Sequence, residues 1–193
     1  MGSPQRCEAS FVLKQMNVNT IPTSRDAEAG LAPLRVKPAP RDAATIAEQW
    51  LKAPNKSPGP LELETFHSWL ELEFFCIPVP LYFTIKPVSL DKCKKIFRRF
   101  NLLFVSSEHN NPNTALLTKG QNLRFRALHD WHHIMADSDA SFEGECIAFN
   151  QAIKTAPKFI HWILFSEIIG QAAVAIVTGK FSAQKLVNLG AEL

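Results

Sequence analysis

Several of the usual routes to a function are missing from this chain of 193 residues. Its four cysteines, Cys7, Cys76, Cys93 and Cys146, lie far apart with no CxxC pair, which excludes a zinc ribbon and a small disulfide framework. That usage fits a reducing compartment, so the cytoplasm is the expected location. There is no P-loop, no GxGxxG and no GxSxG elbow, so phosphate cradling and serine hydrolysis have no starting point. No uninterrupted apolar region follows Arg6 and Lys14, and no signal peptide is expected. The net charge of +3 is too small by itself to require nucleic acid. No repeat of fixed period is visible.

What remains is an ordinary globular composition, 46% hydrophobic and 20% charged, enough for one domain with a core. Residues 1–58 are set apart by recurrent prolines (4, 22, 33, 38, 40, 54 and 58), mixed charge and only short apolar runs. They read as a flexible or weakly structured arm, with one short helix over 43–52 that Pro54 ends. The globular domain is expected over 59–193.

Within it, Leu63, Phe66, Leu70 and Phe74 recur at helical steps over 61–75, and Pro78 and Pro80 stop the helix. Leu81 to Lys86 reads as an edge strand. A helix capped by Ser89 follows to about Phe100, and a second short strand spans 102–106. That order suggests a small βαβ unit. Beyond Gly120 everything reads as helical: 121–136, 142–154 capped by Ser141, a third helix from Pro157 to before Gly179, and a short fourth over 182–188. The fold class is therefore α+β, mostly helical, with a small two-stranded element.

The apolar run from Phe159 to Val177 has the length of a membrane span. A central glutamate raises the insertion free energy by about 3 kcal/mol, and His161 and Gln171 add to that. A buried helix with one polar stripe, Glu167, Gln171 and Thr178, fits better, and no membrane span is expected.

Candidate chemistry lies in Arg124-Phe-Arg-Ala-Leu-His129-Asp130-Trp131-His132-His133 and the following Ser141-Phe-Glu143-Gly144-Glu145-Cys146. His129 and His133, four apart, share a helix face. With Glu145 (or Glu143) from the next helix and Glu167 from the buried third, they form a donor set for a divalent ion, with iron, manganese or zinc all compatible. Asp130 or Gln171 could orient an imidazole. His132 sits off that face, toward solvent or a substrate, and with Glu143 it is a candidate catalytic group. The competing readings are plain ones: hydrogen-bonded imidazoles, a first-turn Glu143 answering the helix dipole, and Glu167 paired with Arg124 or Arg126. An HD phosphohydrolase would need a distant upstream histidine and a downstream aspartate besides His129-Asp130, and His109 and Asp137 are poor candidates for them. Glu64-x-x-His67 has the spacing of a di-iron helix, though in one copy only. Cys146 reads as a core residue.

The leading expectation is a metal-dependent hydrolase or oxygenase acting on a small molecule. The alternative is an accessory or structural protein that binds RNA or a host partner. Its contact would run through the basic residues Lys92, Lys94, Lys95, Arg98 and Arg99, and the His/Glu cluster would be structural. A solvated helix face also explains that basic run.

Four short motifs occur in order over residues 121–187: Phe125-Arg-Ala-Leu-His129-Asp130 with His133, Gly144-Glu145, Glu167-Ile-Ile-Gly170-Gln171, and Phe181-Ser-Ala-Gln184-Lys185. The pattern resembles the signature of a group of small uncharacterised proteins encoded by phages and viruses. This chain departs from it at His132-His133, where members carry Gly-His, and at Asn150-Gln151, where they carry a histidine. The resemblance implies a viral origin and a shared polar site, and no reaction.

Overall fold

The computed structural model describes residues 42–108, 110–112 and 115–190. The chain divides into two units, Met1–Ala39 and Pro40–Leu193, and the first lies wholly outside the described residues, as do Cys7 and His109.

The second unit starts earlier than the expected boundary at 59. Helix α1, Ala43–Lys52, is capped by Asp42, whose carboxylate accepts from Thr45 N at 2.7 Å. Ile46, Ala47 and Trp50 stand on one face of α1 and are fully buried in the common core. A three-residue apolar face was enough to draw the segment into the domain, where proline content alone suggested an arm. Its tail is tied down too, because Lys56 N donates to Leu186 O and Leu186 N to Asn55 Oδ1.

Helix α2, Pro60–Phe75, begins with proline at its first position, and the Glu62 carboxylate accepts from Gly59 N at 2.7 Å. Strand β1 (Leu81–Thr84), helix α3 (Leu90–Phe100) and strand β2 (Leu103–Ser106) form the expected βαβ unit, paired in parallel with Leu81 opposite Leu103. Ser89 caps α3, and Asn101 ends it in the left-handed conformation, φ 50°.

Helix α4, Lys119–Met135, opens with a reciprocal Thr118/Gln121 cap. Ser141 caps α5, Phe142–Ala152. Gly144 is required near the start of α5, since a Cβ there would stand 2.0 Å from the Asp139 carbonyl oxygen. These two helices pack together, and α4 also packs on α2.

The long apolar run is one continuous but irregular helix: a 3-10 turn (Lys158–Ile160), α6 (His161–Leu164), a π segment (Phe165–Gly170) and α7 (Gln171–Thr178). Over Lys158–Thr178 it is long and apolar enough to cross a membrane, yet 61% of its apolar window is buried inside the protein. Helix α1 packs along α7, and Phe149 of α5 meets Phe165 edge-on at 5.6 Å.

The expected fourth helix over 182–188 does not form; Phe181–Gly190 runs without regular structure. Tertiary bonds outcompete helical ones there. Val187 N donates to Ser166 Oγ, Lys185 Nζ donates to the carbonyls of Leu51 and Ala53, and Leu186 and Val187 are both buried.

Candidate metal centre

Helix geometry carries the first step. His129 and His133 stand one turn apart on α4, with ring centroids 4.6 Å apart and ring planes at 84°. The α4–α5 packing then brings Glu145, in the first turn of α5, against both rings. His129 Nε2–H donates to Glu145 Oε2 at 2.9 Å, and His133 Nε2 lies 3.5 Å from Glu145 Oε1. One donor atom from each of the three falls within 4.8 Å of the others, the single such cluster among the described residues. A tetrahedral ion with bonds of about 2.05 Å spaces its ligands about 3.3 Å apart. The two His–Glu separations, which run to different oxygens of Glu145, bracket that value.

Exposure grades across the cluster. The His133 side chain is 1% exposed, Glu145 13% and His129 23%, so the open side is the His129 side. Asp130 stands at that edge, its Oδ1 4.0 Å from His129 Nδ1. Burial raises the Asp130 carboxyl above its ordinary range, against the pull of His129 and His133. Burial also resists ionisation of Glu145, but its hydrogen bonds with His129 and His133 and their charge prevail, and the carboxyl falls to about 2. For His129, desolvation is again opposed by Glu145, which prevails and raises the imidazole above its usual value.

Ser138 completes the centre, and the sequence reading missed it. Asp137 adopts φ 49° just after α4 and turns the chain so that Ser138 N donates to His133 O. The Ser138 hydroxyl then lies 2.9 Å from His133 Nδ1, buried. A hydroxyl both donates and accepts. It can therefore donate to Nδ1 while Nε2–H serves Glu145, or accept from Nδ1–H when the Nε2 lone pair is needed for an ion. The available signal was a hydroxyl in the turn directly after the second histidine.

The other candidates lie elsewhere or differ from expectation. His132, expected to face solvent or a substrate, is buried; desolvation, then the charge of His129 and His133, pushes it down to about 3. It is a neutral packed imidazole at ordinary pH. Glu143 is exposed on the first turn of α5, about 200° round the helix from Glu145. Glu167 does not join the three-residue cluster: it sits in the π segment, where burial raises its carboxyl to about 8 against a hydrogen bond with Gln171. Its Oε1 has no hydrogen-bond partner.

Neither arginine reaches Glu167. Arg124 pairs with Glu71, and Arg126 Nη1 donates to Glu108 O. His67 donates to Leu116 O, and Glu64 is exposed. Asp137 is held by Lys94 and Arg98 on α3. Cys146 is partly buried against the core.

The late motifs of the chain prove to be a structural tie. Gly170 lets the Trp50 indole approach so closely that a Cβ would stand 2.4 Å from its ring. Ser166 Oγ accepts from Trp50 Nε1, Gln171 and Gln184 exchange two amide hydrogen bonds, and the Lys185 ammonium lies 4.8 Å over the Trp50 ring. No protein-family model, no curated protein and no solved structure matches this chain, so the reading of its centre rests on this geometry.

Proposed function

We propose that the protein is a metal-dependent enzyme, most simply a hydrolase of a small-molecule substrate, with one divalent ion held by His129, His133 and Glu145. One observation carries the reading: two imidazole Nε2 atoms converge on one carboxylate with donor spacings suited to a single ion. Two nitrogens and a carboxylate suit zinc, iron or manganese, and three protein donors leave a position for water or substrate. Such an ion, when bound, acts as a Lewis acid and lowers the pKa of a water it holds. Glu145 supplies the negative charge that favours the cation, and Ser138 holds the His133 ring with Nε2 inward. Asp130, at the open edge, is the carboxylate that would handle a proton there. Hydrolysis is preferred to oxygen chemistry because it needs fewer additional parts.

The test is metal content by mass spectrometry on the untagged full chain. About one equivalent is expected, absent from His129→Ala and Glu145→Ala. Wild-type protein without metal, beside variants that fold normally, would overturn the proposal.

A second reading has its own support, since Glu145 and the two imidazoles also satisfy one another without an ion. The cluster would then be a staple between α4 and α5 in a viral accessory or structural protein, the origin its motifs imply. A chelator that leaves the melting temperature unchanged, while His129→Ala lowers it, would favour the staple. Both readings belong to a cytoplasmic protein.

A further inference from the structure

Positive charge is concentrated in one unit. Residues 81–108, which contain β1, α3 and β2, carry six Lys and Arg against two acidic residues, whereas the whole chain carries 21 against 18. Asp137 holds Lys94 and Arg98 at 3.1 and 2.8 Å. Lys86, Lys92, Lys95 and Arg99 stay exposed.

The same unit presents aromatic rings to solvent. Parallel register sets Tyr82 beside Phe104 on one face of the pair, rings 4.7 Å apart, and Leu103 and Val105 on the other. Leu103 and Val105 are fully buried while Tyr82 is 53% exposed, so the Tyr82–Phe104 face is the open one. Phe100, 63% exposed, ends α3 with the Arg99 guanidinium 5.2 Å over its ring.

We infer that the βαβ unit binds a single-stranded polynucleotide, with bases stacked on Tyr82 and Phe100 and phosphates met by Lys86, Lys92, Lys95 and Arg99. Unpaired bases stack on exposed rings, and their backbone calls for cations alongside. Lys86 follows the end of β1, and Arg99 and Phe100 precede β2 at the opposite end of the strand pair. The four residues of β1 span about 13 Å, room for a short run of nucleotides. The uncharged edge of β1 also suits a second copy of the chain. Self-pairing would, however, bring two cation-rich units together, and like charges across an interface oppose association. A polyanion has the complementary charge.

The experiment is fluorescence anisotropy of the full chain with labelled oligouridylate and oligothymidylate of about a dozen nucleotides, at two salt concentrations. Four phosphate contacts predict an affinity that falls about 50-fold between about 50 and 200 mM salt. Tyr82→Ala, with an unchanged melting temperature, is expected to weaken binding about tenfold. The double substitution Lys92→Glu with Lys95→Glu should weaken it further and flatten the salt dependence. Preference for the uridylate strand would assign the ligand as RNA; equal binding would assign it as single strands of either sugar. No binding at the lower salt overturns the inference, as does a folded Tyr82→Ala variant that binds like wild type. So does a wild-type dimer in sedimentation equilibrium that Tyr82→Ala dissociates, which would make this face a contact between copies.

Discussion

Glu145 and Glu167 are the same side chain in two partly buried settings, and their surroundings treat them oppositely. Burial disfavours the charged form of both. At Glu145 two imidazoles address the two carboxylate oxygens, and the group ionises down to about 2. At Glu167 only the Gln171 amide opposes desolvation, one oxygen is left without a partner, and the carboxyl rises to about 8. Depth therefore does not decide the charge of a buried carboxylate; the number and sign of its partners do. A carboxylate already ionised between two nitrogens is prepared for a cation, and a protonated one held in a core helix is not.

The largest expected break in this contrast is Glu145→Ala. It strips the acidic partner from His129 and the nearly inaccessible His133, and should lower stability by about 3 kcal/mol in urea melts. The variant should also lose the acid limb of the pH profile. The folded carboxyl lies at about 2, below its ordinary 4.5, so its contribution is present above 4.5 and is lost as pH falls toward 2. A variant as stable as wild type at pH 7 would mean that the imidazoles do not hold Glu145.

Glu167→Gln tests the opposite sign. A folded value of about 8, raised from 4.5, means a contribution present in acid that is lost as pH rises from 4.5 through about 8. The amide removes that loss, so the variant should gain on the order of 2 kcal/mol over wild type in mildly alkaline buffer. It should gain nothing in acid. Denaturation curves in both buffers decide, and an equal change in the two would show that ionisation is not involved.

Ser138→Ala is the finest of these probes. Loss of the hydroxyl on His133 Nδ1 should reduce stability by about 1 kcal/mol and weaken metal binding about tenfold, as read by competition with a chelating dye. Unchanged affinity would separate Ser138 from the centre.

Much of this molecule was legible in its residues. Helices α2 to α5 and both strands follow from regular periodicity and from caps whose hydrogen bonds are local, Ser89 and Ser141 among them. His129, His133 and Glu145 were legible because the i, i+4 spacing fixes the first pair, and a short connection returns α5 against α4. Where tertiary contacts overrule local preference, the reading failed. Trp50 drew α1 into the core, and Lys185, Leu186 and Val187 gave up helix formation for bonds to the end of α1, the segment after it and Ser166. Glu167 looked like a fourth donor because it lies on the polar stripe of an apolar run, and nothing local in Phe165–Gly170 marks a π segment.

That segment also acts as a phase shifter. A π turn holds one more residue than an α turn, so everything after it is rotated by about 100° relative to an unbroken helix. At its first residue, Phe165 is timed to meet α5; just beyond its end, Gln171 is timed to meet Gln184. Deleting one residue from the middle of 165–170 would remove that extra residue and leave an ordinary α-helix whose two ends still face α5 and Gln184. A residue deleted from α7 instead would shift the run against its partners, so a one-residue deletion should do less harm inside the π segment than beyond it.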